Sequence, residues 1–433
     1  MPHAKTSLYN ALSRRLLGEH PGEGGSQFLR HLSWIGASFA LAKVVSALVG
    51  IMAGRLLGPQ EYGKINVLVS VGAMISPFML AGIHYSVGKY GAAQEDRDEV
   101  FGTACAIFLV LASCVSAFTL LLRGPLSSLF GIDGPTLLLA LLYALATSAF
   151  FMAASLQQAL GLFSKRGLSE IIFSLLLAAG FFAGLYFLGR VYAAMAWAYV
   201  AAFGLVAAFW LARIRGARRL DLFSGVRARP MLEYGIYYFG AAIGSFLILN
   251  VQSLLLNARF SPRDVGIYAA YYAATIGVAG YLGYAVNTVL FPKAAASTNR
   301  RRLWDLAARS WKRLFPLAAV LLFCAQAAVL TLMGREQYGM DPVLMVLFSV
   351  CGTLMLIQSS LAQILFSDSI KASRLSLFMS LGAGALNLAL CLALIPLLKI
   401  AGMAVSLIIT YLFLLIWVRH SARSLLGKPS VGD

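Results

Sequence analysis

Long uninterrupted apolar segments restrict most strongly what this chain can fold into. Twelve of them, each 19 to 27 residues long, follow one another between residues 32 and 418. A helix needs about 20 apolar residues to cross the hydrocarbon of a bilayer, and a helix satisfies its own backbone hydrogen bonds there. The sequence therefore predicts an all-α integral membrane protein of about twelve transmembrane helices. We number the predicted spans 1 to 12 in chain order: 32–57, 65–88, 99–122, 136–162, 168–188, 191–212, 231–257, 266–292, 314–333, 342–366, 375–397 and 400–418.

The composition leaves no room for a separate soluble domain. Hydrophobic residues make up 60% of the chain and charged residues 12%, about half the charged share of an ordinary soluble domain. The net charge of +18 does not indicate nucleic-acid binding, because the basic residues cluster in short loops between the spans. All five cysteines fall inside apolar segments without a paired spacing, which predicts no metal site, disulfide or cofactor.

The distribution of Lys and Arg predicts the orientation. Of the 35 basic residues, 26 lie on the side that carries both termini, 8 lie on the other side, and Lys43 lies within span 1. Because basic loops stay in the cytoplasm, the tails 1–31 and 419–433 are both expected there. We call the predicted cytoplasmic side of the bundle its inner end and the other side its outer end.

The two halves of the chain resemble each other at a constant offset of 203 in residue number. The segment 57–63 matches 260–266 in the pattern apolar, small, Pro, any, acid, any, Gly, and His84 corresponds to Asn287. We therefore expect two six-helix lobes related by a pseudo-two-fold axis along the membrane normal, an N-lobe over 32–212 and a C-lobe over 231–418. The basic segment 213–230 is the expected cytoplasmic linker between them.

Acidic residues are all predicted to lie in loops, tails or at span ends, which leaves no buried carboxylate. This argues against ion coupling through a carboxylate at mid-membrane and removes the acid of a Ser–His–Asp site. The outer loops are also short, about a dozen residues at most. A membrane glycan polymerase or ligase would be expected to carry its catalytic groups on a larger outer loop, so we predict that the protein is not an enzyme.

Lys43 is the one formal charge that the sequence places deep in a span. It lies about 16 Å along span 1, at 1.5 Å per residue, where exposure to lipid would cost at least about 2.5–3.5 kcal/mol. Small residues at helical spacing form a stripe with it and are expected to face neighbouring helices or a cavity. A structural lysine that snorkels or bonds a carbonyl is the alternative. The stripe comprises Gly36, Ala40, Lys43, Ala47, Gly50 and Gly54.

Uncharged polar residues within the spans complete the candidate substrate cavity. They could bond sugar hydroxyls, although each could equally join neighbouring helices. Besides Lys43, the candidates are His84, Asn250, Gln252, Asn287 and Gln358. Three cations near span ends are candidates for the mouths of the cavity, namely Arg55, Lys89 and Lys293.

The segment after span 1 carries a family resemblance. Residues 54–63 read GRLLGPQEYG and resemble the ARLLGPEEYG signature of Wzx-type polysaccharide and O-antigen flippases, the polysaccharide transporter branch of the multidrug/oligosaccharidyl-lipid/polysaccharide exporter superfamily. Residues 261–270 resemble the signature of the second half, and the order and length of all twelve spans agree. One departure is that Gln252 and Ser253 stand where the family often has an Asp-Arg pair.

The resemblance implies a function and a location. The cargo would be an oligosaccharide repeat unit on undecaprenyl pyrophosphate, moved by alternating access across a bacterial cytoplasmic (inner) membrane for O-antigen, lipopolysaccharide, capsule or exopolysaccharide assembly. The implied partners are this lipid-linked substrate, membrane lipids, a polysaccharide polymerase and a chain-length regulator, with no nucleic acid. The alternatives are a cation-coupled drug exporter of the same superfamily, the peptidoglycan-precursor flippase, which typically has fourteen helices, and a membrane glycan polymerase or ligase.

Overall fold

The computed structural model describes residues 23–92, 96–283, 286, 300–366 and 370–425, and over these residues it is helical, with no strand. Fourteen α-helices occur in the described ranges. They are α1 Glu23–Leu80, α2 Ile83–Tyr90, α3 Arg97–Leu121, α4 Arg123–Phe130, α5 Gly134–Ala159, α6 Phe163–Leu188, α7 Tyr192–Arg213, α8 Arg215–Arg218, α9 Gly225–Leu249, α10 Val251–Arg259, α11 Pro262–Tyr272, α12 Arg300–Tyr338, α13 Pro342–Phe366 and α14 Ile370–Leu425.

Ten helices of the described part are long and apolar enough to cross a membrane. Two of these stretches, Ser38–Leu80 in α1 and Arg374–Ser424 in α14, have 43 and 51 residues, about twice the length that one crossing needs. Each contains a residue with non-helical backbone angles, Gly58 in α1 and Lys399 in α14, in the gaps predicted between spans 1 and 2 and between spans 11 and 12. The all-α membrane fold is confirmed, whereas the count of twelve and the side of the termini stay predictions.

The surface of the bundle is apolar, as expected of a multi-pass membrane protein. Large apolar side chains such as Leu121, Tyr186 and Phe187 are 79–84% exposed, although a soluble protein would bury most of them. The buried side chains line the surfaces where helices meet. The bilayer would cover the exposed apolar belt. Because lipid is as apolar as the helix surfaces, contacts between helices here depend on close packing and polar pairing rather than on hydrophobicity alone.

The segment predicted as a linker is folded against the first half of the chain. Helix α9 begins at Gly225, inside the predicted range 213–230, and the short helix α8 precedes it. The backbone N–H of Ser224 donates to Thr103 Oγ1 at 3.0 Å, and Arg227 Nη2 lies 2.7 Å from Asp96 Oδ2. These contacts fix the linker on the inner end of α3. The division of the chain into two lobes remains our proposal.

Spans 7 and 8 depart from regular α-helix within the membrane. Asn250 has backbone angles φ −125° and ψ −24° and interrupts span 7 between α9 and α10. A π-helical segment, Ala273–Gly277, follows α11 in span 8. Non-helical backbone at membrane depth is tolerated where it is buried in protein or lines a cavity, and π segments often mark functional positions.

Candidate functional site

Lys43 lies on a half-buried face of α1. Its neighbours Leu41 and Leu48 are 53% and 55% exposed, whereas Ala42 and Val49 are buried. Among the described residues, Lys43 has no ion-pair or aromatic partner. Within the described part of the chain no carboxylate lies within 4 Å of its ammonium group, and its role as a cavity cation stays a prediction.

The small-residue stripe around Lys43 is tightly packed at Gly54 and open beside Gly50. A Cβ built on Gly54 would overlap the Met333 side chain, whereas a Cβ on Gly50 would meet nothing within 4 Å. The stripe of buried residues on α1 is instead Ser38, Ala42, Val49, Ala53 and Leu57. The space beside Gly50 shows that the stripe faces an open region for part of its length.

The sequence prediction that no carboxylate is buried is wrong. Glu170 is buried in α6, about 10 Å beyond the start of that helix at Phe163, at 1.5 Å per residue. Arg166 Nη2 donates to Glu170 Oε1 at 2.5 Å, and the two side chains are 8% and 7% exposed. Predicted span 5 begins at residue 168, so the sequence placed this pair at the membrane boundary. The Arg–Glu spacing of four residues, which pairs side chains on one helix face, was the available signal.

The guanidinium group of Arg166 lies between two aromatic rings. Its Cζ is 5.2 Å from the ring centre of Phe39 and 5.1 Å from that of Phe150. Nε and Nη1 are buried and have no hydrogen-bond partner among the described residues. Phe39 is one helical turn before Lys43 on the same face of α1, so the buried ion pair lies beside the helix face that carries Lys43.

His84 lies where the inner ends of the two halves meet. Its ring is 4.2 Å from that of Tyr85, and its Nδ1 is buried with no hydrogen-bond partner among the described residues. Asn287, its counterpart in the repeat, is outside the described residues. The predicted equivalence of the two in a shared cavity therefore stays a prediction.

Helices α2 and α9 form an inner seam between the halves. The rings of Tyr85 and Tyr238 stack with centres 4.3 Å apart, and Ser86 Oγ donates to the Met231 carbonyl oxygen at 2.6 Å. Lys89, a predicted mouth cation, lies 4.2 Å above the ring of Tyr234. Lysine over an aromatic face gains electrostatic attraction, so Lys89 contributes to this seam.

The other predicted mouth cations have different surroundings. Arg55 is exposed on α1 close to the outer end, just before the bend at Gly58. Lys293 is outside the described residues. The structure does not bring the three predicted cations together within the described ranges.

Asn250 and Gln252 lie at the interruption of span 7. Asn250 is half-buried and ends α9, and Gln252 is fully buried with its Nε2 donating to the Ile248 carbonyl oxygen at 2.5 Å. Gln252 Oε1 is buried and has no hydrogen-bond partner among the described residues. A buried acceptor of this kind costs about 1–3 kcal/mol unless a further group reaches it.

Gln358 lines a cavity of about 220 Å³ in the second half of the chain. Helices α9, α13 and α14 form its wall. Six of the lining residues carry an uncharged polar group and five are apolar. They are Ser245, Gln358, Ser359, Ser376, Ser380 and Tyr411, with Ile248, Leu249, Met355, Met379 and Leu414.

The two signature segments meet each other at the outer end. A Cβ built on Gly63 would overlap the carbonyl oxygen of Pro262, and a Cβ on Gly266 would overlap that of Pro59. Pro59 and Pro262 are equivalent positions of the repeat, and so are Gly63 and Gly266. The contact is thus reciprocal between equivalent positions, and each glycine is needed because no side chain fits between the segments.

A second reciprocal pair of contacts flanks the first. Asn257 Nδ2 donates to the carbonyl oxygens of Phe130 and Gly131 at 2.7 and 3.1 Å. Gly54, the repeat counterpart of Asn257, packs on Met333, the repeat counterpart of Phe130. The carbonyl oxygen of Gly54 also accepts a hydrogen bond from Tyr338 Oη at 2.7 Å.

Sequence reasoning missed both Asn257 and Tyr338. Extending the repeat to Gly54 would have identified Asn257 as its counterpart, because the offset between the halves is constant. No comparable signal marked Tyr338.

These contacts define what the arrangement can do. The outer seam, made by the two signature segments with Asn257 and Tyr338, joins the halves at the outer end. A charged group, formed by Arg166 and Glu170, belongs to the first half, and an uncharged polar cavity belongs to the second. The molecule therefore offers two chemically different polar regions within an apolar bundle.

Solved transporters share this fold. The chain has a TM-score of 0.63 to an inward-facing multidrug resistance MATE family transporter of the MOP superfamily, at 17% identity over 92% of this chain and 96% of that one. It has a TM-score of 0.56 to an outward-facing transporter of this kind, at 16% identity over 92% and 97%. The MATE multidrug transporter DinF-BH, solved with a bound compound, gives 0.60 at 17% identity over 92% and 95%.

A family model described as polysaccharide biosynthesis protein matches residues 51–340, about two thirds of the chain. A search of curated proteins found none that matches this chain. The matched range includes both signature segments and the whole outer seam. This multi-pass membrane protein has the fold of the MATE transporters of the MOP superfamily and belongs to the polysaccharide biosynthesis protein family.

Proposed function

We propose that this protein is a flippase that moves lipid-linked oligosaccharide repeat units across the bacterial cytoplasmic membrane. The observation that carries the proposal is the family match over 51–340 on a transporter fold. The cargo would be an oligosaccharide on undecaprenyl pyrophosphate, used for O-antigen, capsule or exopolysaccharide assembly. A polysaccharide polymerase and a chain-length regulator would act on the delivered units. In this proposal the protein has no catalytic role.

The physical problem of such a flippase is the polar cargo. Each unsatisfied polar group of a sugar or phosphate costs several kcal/mol in hydrocarbon, whereas the polyprenyl tail can remain in lipid. Lys43 would offset part of the charge of the pyrophosphate, and uncharged polar groups would receive sugar hydroxyls. Opening and closing of the outer seam, with the opposite change at the inner end, would give the two sides access in turn.

The test is genetic and chemical. A strain that lacks the gene should still make lipid-linked repeat units, retain them on the cytoplasmic leaflet and display no surface polymer, and the intact gene should restore the polymer. Normal surface glycan in the deletion strain, in a background without a second transporter of this family, would reject the proposal. Glycan-joining activity of the purified protein would instead support an enzyme.

A drug exporter of the same superfamily is the second candidate. The buried carboxylate of Glu170 favours it, because cation-coupled exporters commonly use a carboxylate within the membrane. Arg166 neutralises this carboxylate, which weakens the argument. Proton- or sodium-driven efflux of a cationic dye from vesicles containing the purified protein, lost in Glu170→Gln, would establish this function.

A further inference from the structure

We propose that the cavity in the second half of the chain is a binding site for one uncharged sugar residue of the cargo. The proposal rests on the flippase function and specifies how the cargo is divided between the two halves. The cavity lies between α9, α13 and α14, and its lining residues all fall within 245–414, whereas Arg166 and Glu170 belong to the first half of the chain.

The chemistry of the wall fits a neutral polyol. Five residues with a hydroxyl and one with an amide line it, and none of the described lining residues carries a formal charge. Serine and tyrosine hydroxyls and a glutamine amide can each donate and accept, as sugar hydroxyls do. A phosphate would require a cation here, and a metal cation would ordinarily require carboxylates, so neither matches this wall.

The apolar part of the wall can contact the C–H faces of a sugar ring. Ile248, Leu249, Met355, Met379 and Leu414 present carbon and sulfur atoms on the same cavity as the polar groups. A sugar ring has C–H faces as well as hydroxyl edges and can satisfy both kinds of surface, whereas a bare ion would leave the apolar surface without a contact. Tyr411 adds an aromatic ring with a polar tip.

The size selects a single ring. The volume of about 220 Å³ is below the range of about 300–1,000 Å³ for pockets that hold drug-sized ligands. A single monosaccharide, the smallest unit of the cargo, suits a cavity of this size.

The position beside the broken span supports a binding role. Leu249 is the last residue of α9, and Asn250 directly after it leaves the helical conformation. The buried Gln252 bonds the carbonyl of the lining residue Ile248 and keeps one amide oxygen without a partner among the described residues. Irregular backbone and an unpaired polar atom are costly in a membrane, which indicates that the cavity has a use beyond packing.

Ligand-observed saturation-transfer NMR on the full chain in lipid nanodiscs tests the proposal. The neutral probes are methyl β-D-glucopyranoside and N-acetylglucosamine. The charged probes are glucuronate, followed by saturation transfer, and inorganic pyrophosphate and Na⁺, which are followed by ³¹P and ²³Na relaxation. Neutral sugars should give saturation transfer. Gln358→Leu should lower the affinity for the neutral sugars about fivefold or more, the effect of one lost uncharged hydrogen bond. Ser376→Leu should abolish sugar binding, because the larger side chain fills the cavity.

Thr331→Leu is the matched control, because Thr331 is exposed on α12 and is not one of the residues that line the cavity. It should bind the neutral sugars like the unmodified protein, and melting temperatures should show that all variants are folded. Absence of any neutral-sugar signal, equal signals in Gln358→Leu, or binding of only a charged probe would overturn the proposal. Sugar binding without a glycan defect in the deletion strain would reject the flippase function alone; a glycan defect with no sugar bound would reject this site alone.

Discussion

Gly63 lies directly against the carbonyl oxygen of Pro262, and the two residues come from opposite halves of the chain. Because Gly266 lies in the same way against Pro59, the outer seam is built twice from equivalent residues. The family signature around Gly63 thus has a structural reason: its small residue lets two backbones approach.

Gly63→Ala should open the outer seam. A methyl group would overlap the Pro262 backbone, and overpacking of this kind costs about 1–3 kcal/mol, which shifts a two-state equilibrium about 5- to 150-fold. Spin labels placed on the two halves at the outer end should show a larger separation when their distance is measured by double electron–electron resonance. Gly204→Ala is the control, because nothing lies within 4 Å of its added Cβ. Unchanged distances in Gly63→Ala would contradict the close approach.

Tyr338→Phe should weaken the outer seam less than Gly63→Ala does. It removes only the hydroxyl that donates to Gly54, a loss of about 1 kcal/mol, or about fivefold in the ratio of closed to open seam. Tyr186→Phe serves for comparison, since Tyr186 is 84% exposed on the apolar surface. The same spin-label distances measure both variants, and an identical distribution in the two would show that the hydrogen bond does not hold the seam.

Removal of one partner of the Arg166–Glu170 pair should strongly destabilise the protein. Glu170→Ala leaves a buried guanidinium without its anion, which costs about 3–5 kcal/mol in measured cases. Glu233→Ala breaks the exposed pair Arg229–Glu233, which has the same spacing, and should cost about 0–1 kcal/mol. Thermal unfolding in detergent compares them, and equal melting temperatures would contradict the burial of the first pair.

The double variant Arg166→Met/Glu170→Leu separates stability from function. It should recover most of the lost stability, because a buried pair replaced by apolar residues is often neutral. If the pair also takes part in transport, the double variant should remain deficient in surface polymer at normal protein level. Full transport in the double variant would make the pair structural.

Lys43→Ala and Lys43→Glu should lose most surface polymer, and Lys43→Arg should keep part of it. Lysine acts as a point charge toward a pyrophosphate, glutamate would repel it, and arginine retains the charge with a different shape. Polymer is measured in the complemented deletion strain and normalised to protein in the membrane. Lys312→Ala, an exposed lysine on α12, should behave as wild type. Wild-type polymer with Lys43→Ala would leave Lys43 without a role in transport.

Reporter fusions should place both lobe ends in the cytoplasm. The unequal division of basic residues predicts that reporters fused after Arg229 and after Arg423 are active only inside the cell. A reporter fused after Gly131, in an outer loop, should be active only outside. An external signal at either inner position would contradict the topology and the even number of spans.

The sequence by itself determined the class of fold, because the lengths of the apolar segments are imposed by the thickness of the bilayer. It also located the bends at Gly58 and Lys399 and the signature residues, since proline, glycine and charge interrupt apolar segments visibly. Of the candidate cavity residues, it selected Gln358, which does line a cavity, but it could not separate this residue from those that only join helices.

The tertiary structure decided which polar groups meet. Burial of Arg166 and Glu170 depends on where α6 starts and on the rings of Phe39 and Phe150, which come from distant parts of the chain. The outer seam depends on the approach of two segments from opposite halves, and the polar cavity of the second half depends on three helices around a broken span. Periodicity reports only which face of a helix is apolar, so contacts across such sequence distances become visible only once the helices are packed.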